Sequence, residues 1–430
     1  MAFNILMFNQ SWLAPELAAL GHRVVTVGRN TPHLDFNFQD AEVAAADIIR
    51  HLPDGFSPDR IVYHDDSGTP WVVDLESLDI PKIFYSIDTH HHHQWHVLYA
   101  AIFERVLVAQ SSYLSAFGNN SGAVFWFPPW APITLEPAPR KTIEVCFRGT
   151  FDQALNPHRI EFFDKLSALI PGDFGPGDYT KAYPHARIVI NQAVKNDLNF
   201  RVFEAMMCGA LLITPADTVG LTDLFTPDED LVLYQSGSPE DAAKQICRFL
   251  DDPKECERVA ESGRKKILTH HTKEIRALEL EQHLRALSGR TRAETLHHCA
   301  AESYLFSVFV AHQKSDIALP KMLGAAVSNL IRSVELKEPI QLERRLGFAL
   351  LLGNKIRESR LGELEIDLFR ALRAEYPAQF VVALGLIDAQ LALGNLAEAR
   401  RTASELVEAP DELIAQVPAL MKQTRGDFWR

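Results

Sequence analysis

The chain has 430 residues, a net charge of −13 and 47% hydrophobic residues. This length exceeds that of one ordinary domain, and the hydrophobic content excludes a mainly disordered chain. The negative charge argues against general binding to nucleic acid or to an anionic membrane, although a local pocket can still hold a phosphate.

Residues 1–133 show the pattern of a first α/β domain. A helix is predicted over residues 14–20, where Gly21 supplies a typical C-terminal cap. Short apolar runs predict strands at residues 4–8, 23–27, 61–63, 82–87, 105–109 and 123–127. Strands separated by helical stretches favour a parallel sheet with helices on both faces. The first strand–helix turn has no G-x-G-x-x-G, which disfavours a dinucleotide site in this half.

A proline-rich linker and a second α/β pattern follow. Five prolines fall within residues 128–139, and such a segment continues neither a helix nor a central strand. The second domain is predicted over residues 140–290. Its predicted strands are 142–147, 187–191, 210–214 and 231–234, and its predicted helices are 157–170, 200–208, 239–250, 253–268 and 272–287.

From about residue 295 the strand signals disappear, and residues 295–430 are predicted to be helical. Residues 380–410 carry Gly394 and Ala399 in an arrangement similar to a tetratricopeptide unit. The same pattern appears 34 residues earlier, with Arg360 at the position that corresponds to Gly394. Two weak repeats are fewer than an independent solenoid needs, so a repeat-like domain and a plain helical bundle both remain open.

The most informative stretch is residues 199–215, where a helix with one carboxylate, Glu204, ends at Gly209 and a buried strand follows. This order places Glu204 near the carboxyl edge of a parallel sheet, where ligands of open α/β folds bind. A carboxylate at this edge can accept hydrogen bonds from both hydroxyls of a ribose.

Several spaced motifs in this region resemble the GT-B glycosyltransferases, in particular the group related to the spore-maturation protein CgeB. The motifs are EVCFRGT at 144–150, LNFRVFEAMMCGA at 198–210, TVGLTDLF at 218–225, DLVLY at 230–234 and HTKEIR at 271–276. The resemblance implies two Rossmann-like domains that face a cleft, here followed by the all-α tetratricopeptide-like region. It also implies transfer of a sugar from a nucleotide-sugar to an acceptor hydroxyl, without a metal or other cofactor.

The resemblance also assigns donor-site residues. Glu204 matches the second glutamate of the family's Glu-x7-Glu motif, which contacts the donor ribose. The first glutamate would fall at Asn196, and this departure leaves the retaining or inverting outcome open. Val219, Gly220 and Leu221 are similar to the family's donor loop, although an ordinary turn would explain them equally.

Other donor-side residues follow from their positions in the chain. Gly149 and Thr150 come directly after a strand, where glycine lets backbone N–H groups approach a diphosphate. Arg201 lies three residues before Glu204 and is expected to neutralise the departing diphosphate; a salt bridge to Glu204 is the alternative. Asn199 precedes the helix and is assigned to the donor site, although helix capping alone would account for it.

A histidine-rich segment, residues 88–96, follows the predicted strand 82–87 and therefore faces the cleft. We predict that Asp88 or His90 acts as the base for the acceptor hydroxyl or orients it. A polar loop that caps the following helix is the alternative. Residues 64–66, His-Asp-Asp, end the preceding strand and form a weaker candidate.

The same segment has the spacing of metal ligands. On a helix, His90 and His93 would share one face, as would His92 and His96, and Asp88 could complete a site. However, the chain has no H-E-x-x-H motif and no cysteine near this segment, so we predict no metal site.

The sequence therefore predicts a cytoplasmic glycosyltransferase; the alternative is a non-catalytic interaction protein on a GT-B frame. Five dispersed cysteines and the lack of a basic leader or an apolar run of about 18 residues favour the cytoplasm without a membrane span. The helical region is expected to dock a protein acceptor, or to form a homodimer through apolar faces at 346–352 and 384–393. Neither the sugar nor the base follows from the sequence.

Overall fold

A computed structural model describes residues 2–118, 122–154, 156–289, 293–315 and 319–427. The described chain contains two parallel sheets, each with flanking helices, followed by an all-helical region. This arrangement confirms the predicted fold class, two Rossmann-like units followed by helices.

The first sheet has seven strands in the order β3-β2-β1-β5-β7-β8-β9, and all its pairings are parallel. Its strands are β1 Asn4–Phe8, β2 Arg23–Arg29, β3 Phe36–Phe38, β5 Arg60–His64, β7 Lys82–Ser86, β8 Arg105–Val108 and β9 Ala123–Trp126, while β4 Val43–Ala44 and β6 Val72–Val73 pair separately. Its helices include α1 Ala14–Ala19, α2 Ala45–His51 and α3 Thr89–Tyr99. Parallel strands are covered on both faces, which explains their nearly continuous apolar runs.

The histidine-rich segment belongs to α3, so the alternative of a polar loop is wrong. Histidine is a weak helix former, and a helix of this composition depends on tertiary packing. Trp95 and Tyr99, four residues apart, are buried against aromatic residues of the first sheet such as Phe84. This packing holds the histidine residues on a regular helix.

The second sheet has five parallel strands in the order β11-β10-β12-β13-β14. The strands are β10 Ile143–Arg148, β11 Asp173–Gly175, β12 Ala186–Ile190, β13 Leu211–Pro215 and β14 Val232–Tyr234. The helices of this unit are α4 Pro157–Leu169, α5 Tyr179–Ala182, α6 Phe200–Met207, α7 Leu221–Leu224, α8 Pro239–Asp251 and α9 Pro253–His270.

The chain crosses between the two units twice, and the crossings lie side by side. The backbone N–H of Ala131, in the proline-rich linker, donates to the carbonyl of His271 at 2.9 Å. The helix after His271 is α10 Lys273–Arg285, and its residue Leu280 shares an apolar core with Ile83 of the first sheet. The predicted second domain, residues 140–290, thus ends in a helix that packs on the first unit.

Helices after residue 295 pack against their neighbours in the chain. They are α11 Leu296–Ser315, α12 Pro320–Glu335, α13 Leu342–Glu358, α14 Gly362–Glu375, α15 Phe380–Ala392, α16 Leu396–Ser404 and α17 Pro410–Asp427. The turns before α14 and α16 use the same left-handed conformation, with φ of 60° at Arg360 and 77° at Gly394. The correspondence of Arg360 and Gly394 is therefore structural, although left-handed φ costs a non-glycine residue about 1–2 kcal/mol. The tetratricopeptide assignment stays a prediction.

The helical region packs against the first unit and shares its hydrophobic core. Buried residues of both parts, such as Phe84 and Trp95 with Tyr304 and Met322, belong to one hydrophobic cluster. The buried carboxylate of Glu42 accepts hydrogen bonds from the backbone N–H groups of Lys321 and Met322, each at 2.8 Å. Because Lys321 and Met322 open α12, this carboxylate serves as its N-terminal cap.

Replacing Glu42 with alanine should lower the free energy of unfolding by about 1–3 kcal/mol, because two N–H groups at a buried helix end lose their acceptor. Chemical denaturation of the full chain measures this loss. Glu335→Ala is the control, since Glu335 and its partner Arg332 are both largely exposed. Equal effects of the two substitutions would contradict the proposed cap.

Candidate active site

A cavity of about 490 Å³ lies between the two units, next to residues that follow the carboxyl ends of strands in both sheets. The first unit contributes Gln10, Trp12, Asp65, Asp66, Ser67, Ile87, Asp88, Gln110 and Pro129. The second contributes Arg159, Val194, Asp197, Leu198, Asn199, Phe200, Arg201 and Glu204. The predicted residues Asp88, Asn199, Arg201 and Glu204 therefore meet in one place.

Two guanidinium groups form the positive part of this cavity. Arg201, on the first turn of α6, donates to the carbonyl of Arg148 at 2.9 Å and to Asn191 Oδ1 at 2.8 Å. Arg159, on the first turn of α4, donates from Nε to Gln192 Oε1 at 3.0 Å. All of these acceptors are neutral, and neither arginine forms an ion pair within the described part of the chain. Their positive charges are therefore available to an anion.

The aromatic ring of Phe147 supports both cations. The guanidinium carbons of Arg201 and Arg159 lie 4.4 Å and 5.5 Å from its centroid. Burial and the neighbouring charge of Arg201 lower the pKa of Arg159 to about 10, which still leaves Arg159 protonated at neutral pH. An anion between the two groups would relieve their mutual repulsion.

Gly149 and Thr150 lie next to these arginines and are not among the residues that line the cavity. A Cβ atom on Gly149 would lie 2.6 Å from an Nη atom of Arg201 and 2.7 Å from the ring of Phe147. The carbonyl of Thr150 accepts a hydrogen bond from Arg159 at 3.0 Å. The glycine is thus needed to make room for a side chain, a reason that the sequence did not reveal.

Glu204 is half-buried in the cavity wall, three residues after Arg201. Burial raises the pKa of Glu204 to about 7, against the opposing effect of the Arg201 charge. Among the described residues Glu204 forms no ion pair, so the alternative of a salt bridge to Arg201 is not present in this structure. The carboxylate is free to meet a ligand.

Asn199 stands at the N-cap position of α6, but its side chain makes no capping hydrogen bond. Its Oδ1 atom is buried without a hydrogen-bond partner in the described chain. Helix capping therefore does not explain this residue, and its unpaired oxygen adds a second acceptor beside Glu204.

The segment from Val219 to Leu221 is not among the residues that line this cavity. The N–H of Val219 donates to the carbonyl of Asn196 at 3.1 Å, and Leu221 begins α7 and is buried. Gly220 has φ of 80°, and a Cβ there would approach the Trp126 ring to 2.8 Å. This turn consequently brings the second unit against the first.

Three aspartates of the first unit, Asp65, Asp66 and Asp88, lie in the cavity wall. Burial would raise the pKa of Asp65, but the nearby His96 ring and backbone N–H donors hold it below its usual value. One of these donors is the N–H of Asp88, at 2.9 Å. The carboxylate of Asp88 itself accepts a hydrogen bond from the Ser67 hydroxyl.

His90 lies on the first turn of α3 and is 6% exposed. Its Nδ1 atom has no hydrogen-bond partner in the described chain and lies 4.0 Å from Oδ1 of Asp197. Burial, together with the positive charges of His91 and Lys195, lowers the pKa of His90 to about 3. The ring is therefore neutral at pH 7, and His90 lies behind Asp88 without being among the residues that line the cavity.

Asp197 is a cavity residue that the sequence analysis missed. It follows Lys195 and Asn196, which both adopt left-handed φ, at 51° and 60°. Gln110 of the first unit donates to Asp197 and accepts the N–H of Leu198 at 3.1 Å. Burial raises the pKa of Asp197 to about 7. The sequence held one signal that could have identified Asp197. It lies one position after Asn196, where the family's first glutamate is absent.

The histidine residues of α3 had the spacing of metal ligands in the sequence. Across the described ranges, no group of three or more His, Cys, Asp or Glu side chains is arranged to hold a metal ion.

Comparison with known proteins supports the fold and the enzyme class. Residues 141–282 match the family model described as glycosyl transferase-like. The structure is similar to sucrose-phosphate synthase from Thermosynechococcus elongatus, with a TM-score of 0.50 and 15% identity over 65% of this chain and 98% of that one. The chain is a glycosyltransferase of the GT-B fold.

Other solved structures show weaker similarity. Anabaena HepE, solved with UDP and glucose, aligns with a TM-score of 0.49 and 11% identity over 67% of this chain and all of that one. A glycosyltransferase from Rickettsia africae aligns with a TM-score of 0.48 and 10% identity over 66% and 99% of the two chains. No curated protein matches this GT-B glycosyltransferase, and neither comparison names the CgeB-like group. None of the described helices is both long and apolar enough to cross a membrane.

Gly149→Ala should displace the Arg201 guanidinium and weaken binding of inorganic pyrophosphate by about 10- to 100-fold, the effect of losing one charged hydrogen bond. Isothermal titration calorimetry measures this binding. Gly175→Ala is the matched control, since a Cβ on Gly175 meets nothing within 4 Å. Unchanged pyrophosphate affinity in Gly149→Ala would contradict the role given to Gly149.

Arg201→Gln should raise the pKa of Glu204 above its value of about 7, because the Arg201 charge is the influence that opposes burial. A ¹³C NMR titration of the glutamate carboxyl groups follows this change. Arg148→Gln should leave the pKa of Glu204 unchanged, since Arg148 is paired with Asp173. A lower pKa in Arg201→Gln would contradict the electrostatic coupling of Arg201 and Glu204.

Proposed function

We propose that this glycosyltransferase transfers a sugar from a nucleotide-sugar to an acceptor hydroxyl, without a catalytic metal. The observation that carries the proposal is the pair of guanidinium groups, Arg159 and Arg201, which face a cleft and have only neutral hydrogen-bond partners. Cleavage of the donor bond leaves negative charge on a nucleoside diphosphate, and prearranged cations stabilise this charge in the transition state.

On the donor side, the diphosphate would lie between Arg159 and Arg201. Glu204 would accept hydrogen bonds from the ribose hydroxyls, and the unpaired oxygen of Asn199 would provide another acceptor. In this proposal Gly149 and Thr150 act through the arginines that they hold. The loop of Val219, Gly220 and Leu221 remains the proposed donor loop, supported by its contact with the carbonyl before Asp197.

On the acceptor side, a hydroxyl would approach from the first unit, where Asp88 and His90 follow β7. His90 would take the hydroxyl proton, and Oδ1 of Asp197, 4.0 Å from its Nδ1 atom, would stabilise the protonated ring against the cost of burial. Asp88 would orient the hydroxyl through its carboxylate. Asp197 thereby supplies a carboxylate next to the position where the family's first glutamate is missing.

We further propose that the acceptor hydroxyl belongs to a protein. This proposal is supported by the place of the helical region, since α11 packs on α3, which carries His90. The faces predicted for the competing homodimer, residues 346–352 and 384–393, are largely buried inside the helical region, with Leu352 and Ile387 at 0% exposure. That prediction is wrong for these faces, because they form the core between the helices. A homodimer would have to use other exposed apolar side chains, such as Phe380 at 48% and Leu396 at 45% exposure.

The main test compares binding of nucleoside diphosphates with binding of the parent nucleosides by calorimetry. Arg159→Gln and Arg201→Gln should each weaken diphosphate binding by about 10- to 100-fold and leave nucleoside binding nearly unchanged. Arg148→Gln is the control, because Arg148 does not line the cavity.

A second test concerns the absence of a catalytic metal. Turnover of a panel of nucleotide-sugars should persist in excess EDTA. Complete loss of turnover in EDTA, or full diphosphate affinity in both variants, would contradict the proposal.

His90→Gln should reduce sugar transfer by about 10²- to 10⁴-fold, the usual contribution of a general base, and leave nucleotide binding intact. His93→Gln is the control, because His93 is exposed on the same helix, whereas His90 is buried beside Asp197. Rates of transfer and dissociation constants for the nucleotide separate the two effects. A loss of nucleotide binding in His90→Gln would assign His90 to the donor side instead.

A further inference from the structure

A second, smaller cavity of about 160 Å³ lies next to the proposed acceptor site. Ser67 lines both this cavity and the larger one, so the two adjoin at this residue. Its walls come from α3, from the loop at residues 67–69, and from the helical region. The contribution of the helical region is one face of α11, where Phe306, Val310 and Lys314 follow each other at intervals of four residues.

The walls of this cavity combine aromatic surface with unused polar groups. Trp95 and Phe306 provide the rings. The indole Nε1 of Trp95 is buried without a hydrogen-bond partner in the described chain. His92 and Gln94 line the same space, and no side-chain hydrogen bond is formed by either within the described ranges. The cavity walls thus combine two aromatic side chains, Trp95 and Phe306, with hydrogen-bonding groups of Trp95, His92 and Gln94.

We propose that this cavity binds a saccharide unit of the acceptor, adjacent to the hydroxyl that receives the sugar. This proposal rests on the proposed function, because it places the acceptor on the His90 side of the cleft. A pyranose ring has a C–H face that packs on aromatic rings and peripheral hydroxyls that both donate and accept hydrogen bonds. The chemistry of the walls matches both features.

An apolar peptide side chain fits these walls less well. It would cover the rings but leave the buried N–H of Trp95 without a partner, and an unpaired buried donor is costly. The volume is about ten times the minimum needed for one water molecule, which suits a single sugar ring rather than a longer segment. Lys314 at the rim adds a further hydrogen-bond donor for hydroxyl or carboxylate oxygens.

The proposal gives the helical region a direct part in substrate recognition. Since α11 supplies one wall, acceptor binding depends on residues more than 200 positions away from α3 in the chain. A saccharide acceptor is compatible with a free glycan and with a glycan already attached to a protein. The same cavity chemistry would recognise either source.

The test fills the cavity in the full-length protein. Val310→Trp places a large ring into the space, whereas Gln313→Trp adds the same ring at an exposed position of α11 that does not line it. The probes are methyl hexopyranosides and disaccharides, a glycopeptide with one exposed hexose, and the same peptide without sugar. Binding is measured by saturation-transfer NMR and calorimetry without nucleotide, and binding of nucleoside diphosphates is measured separately.

We expect at least one saccharide probe to bind the native chain and the Gln313→Trp variant, and to lose at least tenfold in affinity to Val310→Trp. Affinity for nucleoside diphosphate should be the same in all three proteins. Comparing the affinities of the free saccharide and of the glycopeptide shows whether the cavity binds a free glycan, a protein-attached glycan or both. Failure of nucleoside diphosphate binding, with saccharide binding kept, would overturn the proposed function and leave this cavity as a saccharide site without its role in acceptor binding.

Three results would overturn the cavity assignment. The first is that no saccharide probe binds the native chain. The second is that the unmodified peptide binds and loses affinity to Val310→Trp. The third is that Val310→Trp and Gln313→Trp behave alike. Trp95→Phe adds a finer test, because it keeps a ring and removes the unpaired N–H; saccharide affinity should fall roughly fivefold, as for one neutral hydrogen bond.

Discussion

The uncompensated positive charge of Arg159 and Arg201 is the constraint on which the cleft depends. Burying two cations side by side is costly unless each is well hydrogen-bonded. Here the carbonyls of Arg148 and Thr150 and the amide oxygens of Asn191 and Gln192 accept from them, and no carboxylate of the described residues forms a direct ion pair with either guanidinium. The packing around them follows from this need. The residue after β10 must be glycine because a Cβ at Gly149 would collide with Arg201. The ring of Phe147 packs against both cations.

The opposite wall has the complementary character, and the two units meet through a small number of polar contacts. The first unit presents Asp65 and Asp88, while Gln110 reaches across to hold the segment that begins at Asp197. Lys195 of the second unit donates to the carbonyl of His90 at 3.1 Å. A cleft with cations on one side and neutral or acidic groups on the other separates the two tasks of the proposed reaction. The leaving diphosphate is stabilised on one side, and the proton of the acceptor is removed on the other.

Much of the sheet architecture could be predicted, because buried parallel strands such as Ile143–Arg148 are marked by local apolar runs. Glu204 and Arg201 were found because they share one helix. Arg159 could not be found in this way, since it is an unremarkable first-turn residue of α4 whose value depends on Phe147 and Arg201. Asp197 was missed for a related reason, because the turn that aims it into the cavity uses left-handed φ at Lys195 and Asn196. The place of Arg159 and Asp197 in the cavity depends on contacts between distant parts of the chain, and the spacing of apolar residues does not indicate such contacts.

The helical region illustrates the same point at a larger scale. Its turns at Arg360 and Gly394 follow a local repeat, but its attachment depends on Glu42 and Glu76, carboxylates more than 200 residues earlier. Glu76 accepts from Asn329 at 2.5 Å and from Tyr304, while Glu42 caps α12. Since these contacts are buried in a core shared with the first sheet, the region has a fixed position relative to α3 and cannot be removed without exposing that core. The contribution to acceptor binding that we propose for this region is therefore testable by point substitutions on α11 within the full chain, and not by deletion.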